Sequence, residues 1–132
     1  MHEKRIEVRW RDMDAFGHVN NAVFLTYLEE CRDEFMASAL EGVSDVNDFV
    51  LARVAIDYRR PLTQDDDVIT VRCRLESLGR SSVRTREEIL TAGGALAAQA
   101  ESVMVPLASD EAGSRPLTDA ERAAFESKAA SG

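Results

Sequence analysis

Residues 12–21 read DMDAFGHVNN: two carboxylates, a glycine and two asparagines placed directly before a long amphipathic stretch. Asp14 precedes Asn21 by seven positions, and a turn through Gly17 can fold its carboxylate back toward the N–H groups that a helix leaves free in its first turn. Those groups lie at the positive end of the helix dipole and polarise a carbonyl oxygen set against them. A carboxylate beside that carbonyl can act on its carbon or on a neighbouring water. The chemistry offered is carbonyl activation, with base and oxyanion donors supplied by one short segment.

Such a segment needs a strand to enter it and a helix to leave it. Before it, Ile6, Val8 and Trp10 alternate with charged residues, the period of a half-buried strand over residues 5–11. After it, from Asn21 to about Leu40, Phe24, Leu28, Cys31 and Phe35 recur at steps of three and four, with Thr26, Glu30, Asp33 and Glu34 on the opposite side. Twenty residues of helix reach about 30 Å, enough to cross a small sheet. Gly42 is the expected stop. Further on, Val50, Ala52, Val54, Ile56 and Tyr58 alternate up to Pro61, and Ile69, Val71, Cys73 and Leu75 alternate up to Gly79. Residues 82–91 form a fourth strand, in which Glu87 falls on the apolar face of Val83, Thr85 and Ile89 with no local reason. Gly93 and Gly94 mark a hairpin into an alanine-rich strand over residues 95–106, a low surface for a helix. A polar linker and a short helix with a capping box from Thr118 to Glu121 complete the chain, giving an expected domain over residues 1–108 and an extension over 109–132. Strand, helix and four successive strands, without βαβ alternation, predict an α+β fold with one antiparallel sheet curled round a long helix.

The bulk numbers set limits. A chain of 132 residues, 45% apolar, builds one modest core and gains from self-association. A net charge of −8 argues against general binding to nucleic acid or to an anionic membrane. Cys31 and Cys73 stand in no metal-ligand spacing and fit reduced core thiols, so no structural metal is expected. No leader-like or membrane-spanning apolar run is present, and a cytoplasmic location is expected.

Asp14, Gly17, His18, Val19, Asn20 and Asn21, followed by Phe24, Tyr27, Glu29 and Arg32 in the helix, then IDYRRPL over residues 56–62 and LGRSS over 78–82, resemble the hotdog-fold acyl-CoA thioesterases of the 4-hydroxybenzoyl-CoA thioesterase type. The resemblance spans nearly the whole chain. It implies a five-stranded antiparallel sheet round a central helix, homodimers or dimer-of-dimers tetramers, an active site shared between subunits, an acyl-CoA substrate and no cofactor. Asp14 falls on the catalytic carboxylate, and Asn21 on the helix-start position whose N–H polarises the thioester. His18 is similar to the histidine of the HVNN subgroup, but Phe16 and Pro61 stand where that subgroup's plant acyl-carrier-protein enzymes carry catalytic polar residues, so their full set does not transfer. Phe24 replaces a usual tyrosine.

Simpler roles stand beside these. Asp14 can cap a turn, and His18 can bond to backbone. Asn20 and Asn21 can serve as helix caps. Glu29 is expected to pair with Arg32 within the helix. Arg59, Arg60, Arg80, Ser81 and Ser82 are candidates for coenzyme A phosphates, because guanidinium forks and hydroxyls match phosphate oxygens. Arg72, Arg74, Arg84 and Arg86 read as a solvated face. Asp14 serves either as general base or as nucleophile, and the acyl group is left open among aryl, short and long chains, as is the choice between coenzyme A and acyl-carrier-protein esters. A hydratase or dehydratase of the same fold, or a non-catalytic acyl-CoA binder, are the competing readings.

Overall fold

The computed structural model describes residues 1–110 and 113–131. Strands β1 (His2–Glu7), β2 (Phe49–Tyr58), β3 (Val68–Leu78), β4 (Val83–Leu90) and β5 (Leu96–Pro106) form one antiparallel sheet in the order β1-β3-β4-β5-β2. Helix α1 (Asn21–Leu40) lies across one face, chiefly over β3, β1 and β4, and α2 (Asp119–Ala130) packs against α1 and β3. This is the hotdog arrangement. Phe24, Leu28, Cys31 and Phe35 share one core cluster with Ile69, Val71, Val83 and Ile89 from the sheet. The helix ends where Gly42 turns into the left-handed region at φ 77° and the Val43 and Ser44 N–H groups both return to the Leu40 carbonyl.

Four local expectations change. β1 stops at Glu7, and Trp10 leaves the strand to sit in a 3-10 turn, Trp10–Asp12, where it is 78% exposed. In β2 the pairing steps from Leu51 opposite Met104 to Arg53 opposite Val103, so Ala52 is an extra residue. This bulge puts Leu51, Val54, Ile56 and Tyr58 on the helix side and breaks the simple alternation with Val50 and Ala52. The alanine-rich β5 carries little of α1, and its Ala98 and Ala100 are buried where β5 pairs with β4 and β2. Finally, Arg32 does not pair with Glu29. Its side chain is buried and reaches across the core to Glu87, Nη1 donating to Oε1 at 2.9 Å and to the Ser102 hydroxyl at 3.1 Å.

That cross-core pair explains the acid on the apolar face of β4. Ser102 donates to the same Glu87 oxygen at 2.7 Å, and Thr85 lies at 3.4 Å. Burial pushes the Glu87 carboxyl above its ordinary pKa, and the bonds from Ser102 and Arg32 offset this only partly. Arg32 Nε and Glu87 Oε2 find no partner among the described residues. On the outer face the arginines are matched by acids: Arg72 with Glu3, Arg86 with Glu76, and Arg84 with Glu101. Both cysteines are buried and unbridged, and burial raises the Cys31 thiol to about 12. Among the described residues no helix is long and apolar enough to cross a membrane.

α2 is fastened by a second buried acid. Glu121 is fully buried, takes both guanidinium nitrogens of Arg115 at 2.7 and 2.9 Å, the Ser44 hydroxyl at 2.7 Å and the Thr118 N–H at 2.9 Å. The Thr118 hydroxyl oxygen in turn accepts the Glu121 N–H at 3.0 Å, completing the capping box. Phe125 then buries its ring edge-on against Phe49, with centroids 6.2 Å apart.

Two measurements follow. Glu87→Ala strands a buried guanidinium and is expected to cost about 3–5 kcal/mol in a denaturant titration, whereas Arg32→Met combined with Glu87→Leu recovers most of it; a loss below about 1 kcal/mol for the single variant contradicts a structural role. The Arg115 bond, which outweighs burial, lowers the Glu121 carboxyl from its ordinary 4.5 to about 2. A depressed carboxylate stabilises the fold fully above its unfolded pKa and loses that contribution as pH falls toward the folded value. Stability is therefore expected to drop by up to roughly 3 kcal/mol between pH 5 and 2, and this drop should shrink in Glu121→Gln.

Candidate active site

The approach to α1 is built around Asp12. Its carboxylate is buried and accepts the Tyr27 hydroxyl at 2.6 Å and the Arg9 N–H at 2.9 Å, while the Arg9 guanidinium lies 3.2 Å away. Burial pushes this carboxyl up, but the bonds from Tyr27 and Arg9 outweigh it and hold the pKa below the ordinary carboxylate value. The same interaction, with burial as the larger cause, raises the Tyr27 phenol. Behind the side chain, the Asp12 carbonyl accepts the Asn20 N–H at 2.9 Å. Met13 and Val19 form a bridge, and the Val19 N–H reaches the Leu62 carbonyl at 2.7 Å. The ends of the loop are thereby clamped to each other, to the second turn of α1 and to the segment after β2.

Between the clamps, Asp14 N–H bonds to the His18 carbonyl at 2.8 Å and Gly17 N–H to the Asp14 carbonyl at 3.2 Å. Gly17 turns the chain at φ 79°, a conformation costly for other residues. Asp14 Oδ1 accepts the Phe16 N–H at 2.9 Å and the His18 N–H at 3.4 Å. The turn-capping role is real, yet it occupies one oxygen, and Oδ2 meets no donor among the described residues. The carboxylate thus bonds to its own loop, not to the helix N–H groups. Asn20 caps α1, its side chain accepting the Ala22 N–H at 2.9 Å, while the Asn21 N–H has no acceptor among the described residues. The His18 ring is exposed and likewise has no hydrogen-bond partner there.

Asp14, His18 and Asn21 line one open groove of about 480 Å³, together with Phe16, Val19, Phe24, Tyr58, Arg59, Arg60 and Pro61. Gly17 shapes its rim through the turn. Tyr58, from the distant β2, donates its hydroxyl to the Asn21 carbonyl at 2.8 Å and sets its ring edge-on to Phe24 at 5.1 Å. The groove is therefore lined by an aspartate, a histidine and the first residue of α1, together with the aromatic residues Phe16, Phe24 and Tyr58.

Residues 8–128 match the family model described as the Thioesterase-like superfamily. The chain belongs to the Thioesterase-like superfamily. It is 31% identical over 106 residues to the long-chain acyl-CoA thioesterase FadM of Escherichia coli (strain K12), covering 74% of this chain and 76% of FadM. Its fold matches a thioesterase of Thermus thermophilus crystallised with coenzyme A and zinc, at 35% identity and TM-score 0.87 over 98% of this chain and 94% of that one. A predicted thioesterase from Bacillus stearothermophilus matches at 25% identity and TM-score 0.85, covering 96% of this chain and 95% of the other.

In this superfamily member the remaining sequence candidates fall into two groups. Arg59 and Arg60 border the groove, with both main-chain N–H groups on the Ala97 carbonyl and Arg59 3.9 Å from Asp57. Arg80, Ser81 and Ser82 form the β3–β4 turn, beyond the far end of an eleven-residue strand, which separates them from the groove by roughly 30 Å within one chain. Sequence reasoning does not single out Tyr58 and Asp12 as site residues. Tyr58 lies inside the IDYRRPL motif, and Asp12 is the first carboxylate of DMDAFGHVNN, which are their only signals. Tyr58→Phe removes a single hydroxyl from the helix start and is expected to lower turnover about two- to tenfold at nearly unchanged melting temperature; an unaltered rate would show that this bond does not position Asn21.

Proposed function

We propose that the protein hydrolyses acyl-CoA thioesters, with Asp14 and the start of α1 as its chemical centre. The thioester oxygen rests on the Asn21 N–H, the free Asp14 oxygen takes a proton from water as the water attacks the carbonyl carbon, and the C–S bond breaks to release coenzyme A as its thiolate. His18 supplies the second titratable side chain beside the reacting carbonyl. The observation that carries this reading is the opening of Asp14 and Asn21 onto one groove, the former with a spare oxygen and the latter with a spare N–H. A carboxylate acting as nucleophile through a mixed anhydride uses the same placement.

The active unit in this proposal is a homodimer, or a tetramer made from two such dimers. β2 is an unpaired edge carrying exposed Val50, Leu51 and Tyr58, a surface that a second copy can pair. Coenzyme A phosphates are then held by Arg59 and Arg60 beside the groove and by Arg80, Ser81 and Ser82 contributed across the interface. A coenzyme A ester as substrate and two unbridged buried cysteines fit a cytoplasmic location.

Thiol release measured over aryl, short-chain and long-chain acyl-CoA esters tests the centre. Asp14→Asn keeps the acceptor for Phe16 and His18 but loses the base, and its turnover is expected to fall about 10²- to 10⁴-fold. Equal rates in wild type and Asp14→Asn, or no cleavage of any ester by wild type, would remove the assignment. Single turnover in heavy-oxygen water separates the two routes: label in the enzyme carboxylate marks the anhydride.

A further inference from the structure

The turn formed by Gly79, Arg80, Ser81 and Ser82 does not hold its shape alone. The Gly79 N–H closes it on the Ser82 carbonyl at 2.9 Å, and the Ser82 hydroxyl lies over Gly79 where a larger residue would carry its Cβ. Two of the turn's carbonyls are taken by the C-terminal segment. The Gly79 oxygen accepts Arg122 Nη2 at 3.0 Å, and the Arg80 oxygen accepts the Leu117 N–H at 2.9 Å. The peptide bonds of the turn are trans, so each N–H points opposite to the carbonyl of its own peptide unit. Drawing the Gly79 and Arg80 carbonyls toward α2 and the segment that leads into it therefore turns the N–H groups of Arg80 and Ser81 away from them. Neither N–H has an acceptor among the described residues. Two consecutive N–H groups without acceptors, in the turn that also carries Arg80 and Ser81, supply the donor types that an anion needs on a chain of net charge −8.

We infer that the C-terminal helix and the segment leading into it are a positioning element for phosphate binding: Arg122 and Leu117 hold the β3–β4 turn with its N–H groups facing the coenzyme A phosphates. Arg122 and Leu117 touch no substrate and act through the turn. The Glu121 clamp to Arg115 and Ser44 keeps this segment seated. The inference rests on the proposed role of Arg80 as a phosphate ligand.

The test compares a coenzyme A ester with the matching pantetheine ester, which lacks the nucleotide phosphates, in wild type, Arg80→Ala, Arg122→Ala and the double variant, with melting temperatures recorded for each. Arg122→Ala is expected to raise KM for the coenzyme A ester about five- to tenfold more than for the pantetheine ester. In the double variant the rise should be smaller than the product of the single effects, because both act on one turn. Arg122→Lys, which retains charge and stem, checks for a general loss of folded protein and should keep part of the discrimination. If Arg80→Ala separates the two esters and Arg122→Ala does not, the helix is packing only and the inference fails while the phosphate reading stands. If Arg80→Ala treats both esters alike, the reading and the inference fall together.

Discussion

The geometry of the groove depends on burying one carboxylate, that of Asp12. A loop that enters a helix has every freedom to swing about the first turn, and an Asp14 that swings cannot keep its distance from Asn21. The Tyr27 hydroxyl at 2.6 Å and the Arg9 backbone at 2.9 Å remove that freedom, because an ionised carboxylate inside the protein is stable only where several donors surround it. Tyr27 is fully buried in the second turn of α1, so the loop is indexed to the helix rather than to solvent-exposed contacts. The Asn20 N–H on the Asp12 carbonyl closes the same unit from behind. Within it, the short Asp14 turn needs only one permissive residue, Gly17.

The central joint works by a different balance. Arg32 and Glu87 tie the middle of α1 to the middle of the sheet, but one nitrogen and one oxygen remain unpartnered. Such a pair contributes little net stability compared with an apolar filling, and its measurable effect is in what happens when one member is lost. It also restricts how the helix can lie: sliding α1 by one turn would carry a charged guanidinium away from Glu87 and Ser102 into hydrocarbon. Placement of the helix start over the groove thus depends on a contact several turns further along.

What the residues disclose in advance follows from sequence distance. The Gly17 turn, the period of α1, the Gly93 and Gly94 hairpin and the Thr118 to Glu121 box are all encoded within a few positions, and each takes the form its residues suggest, whereas the Asp14 carboxylate, expected to turn toward the helix N–H groups, bonds to its own loop. Glu87 has no local explanation because its partners Arg32 and Ser102 lie 55 and 15 residues away. Helical spacing alone pairs Glu29 with Arg32, yet spacing does not reveal that Arg32 faces inward. Ala52 hides its bulge because the run around it is apolar on both faces. Trp10 continues the alternation of β1 into a turn where the alternation has no meaning. Tyr58 completes the groove from another strand, so no local pattern around residues 12–21 announces it.

Three buried carboxylates therefore join loop to helix, helix to sheet and C-terminal helix to the rest, and acid acts on them in opposite directions. For Asp12, burial is outweighed by the bonds from Tyr27 and Arg9; for Glu121, the Arg115 bond dominates. Both are held below their ordinary values and weaken their joints when protonated. For Glu87, burial dominates and raises the value, so proton uptake favours the folded form of that group over the unfolded one. Falling pH thus loosens the two joints that shape the pre-helix loop and seat α2, while the titration of the central acid opposes unfolding. The difference is structural: the two outer joints are built from well-satisfied anions, and the central one from an acid that leaves one carboxylate oxygen without a partner among the described residues.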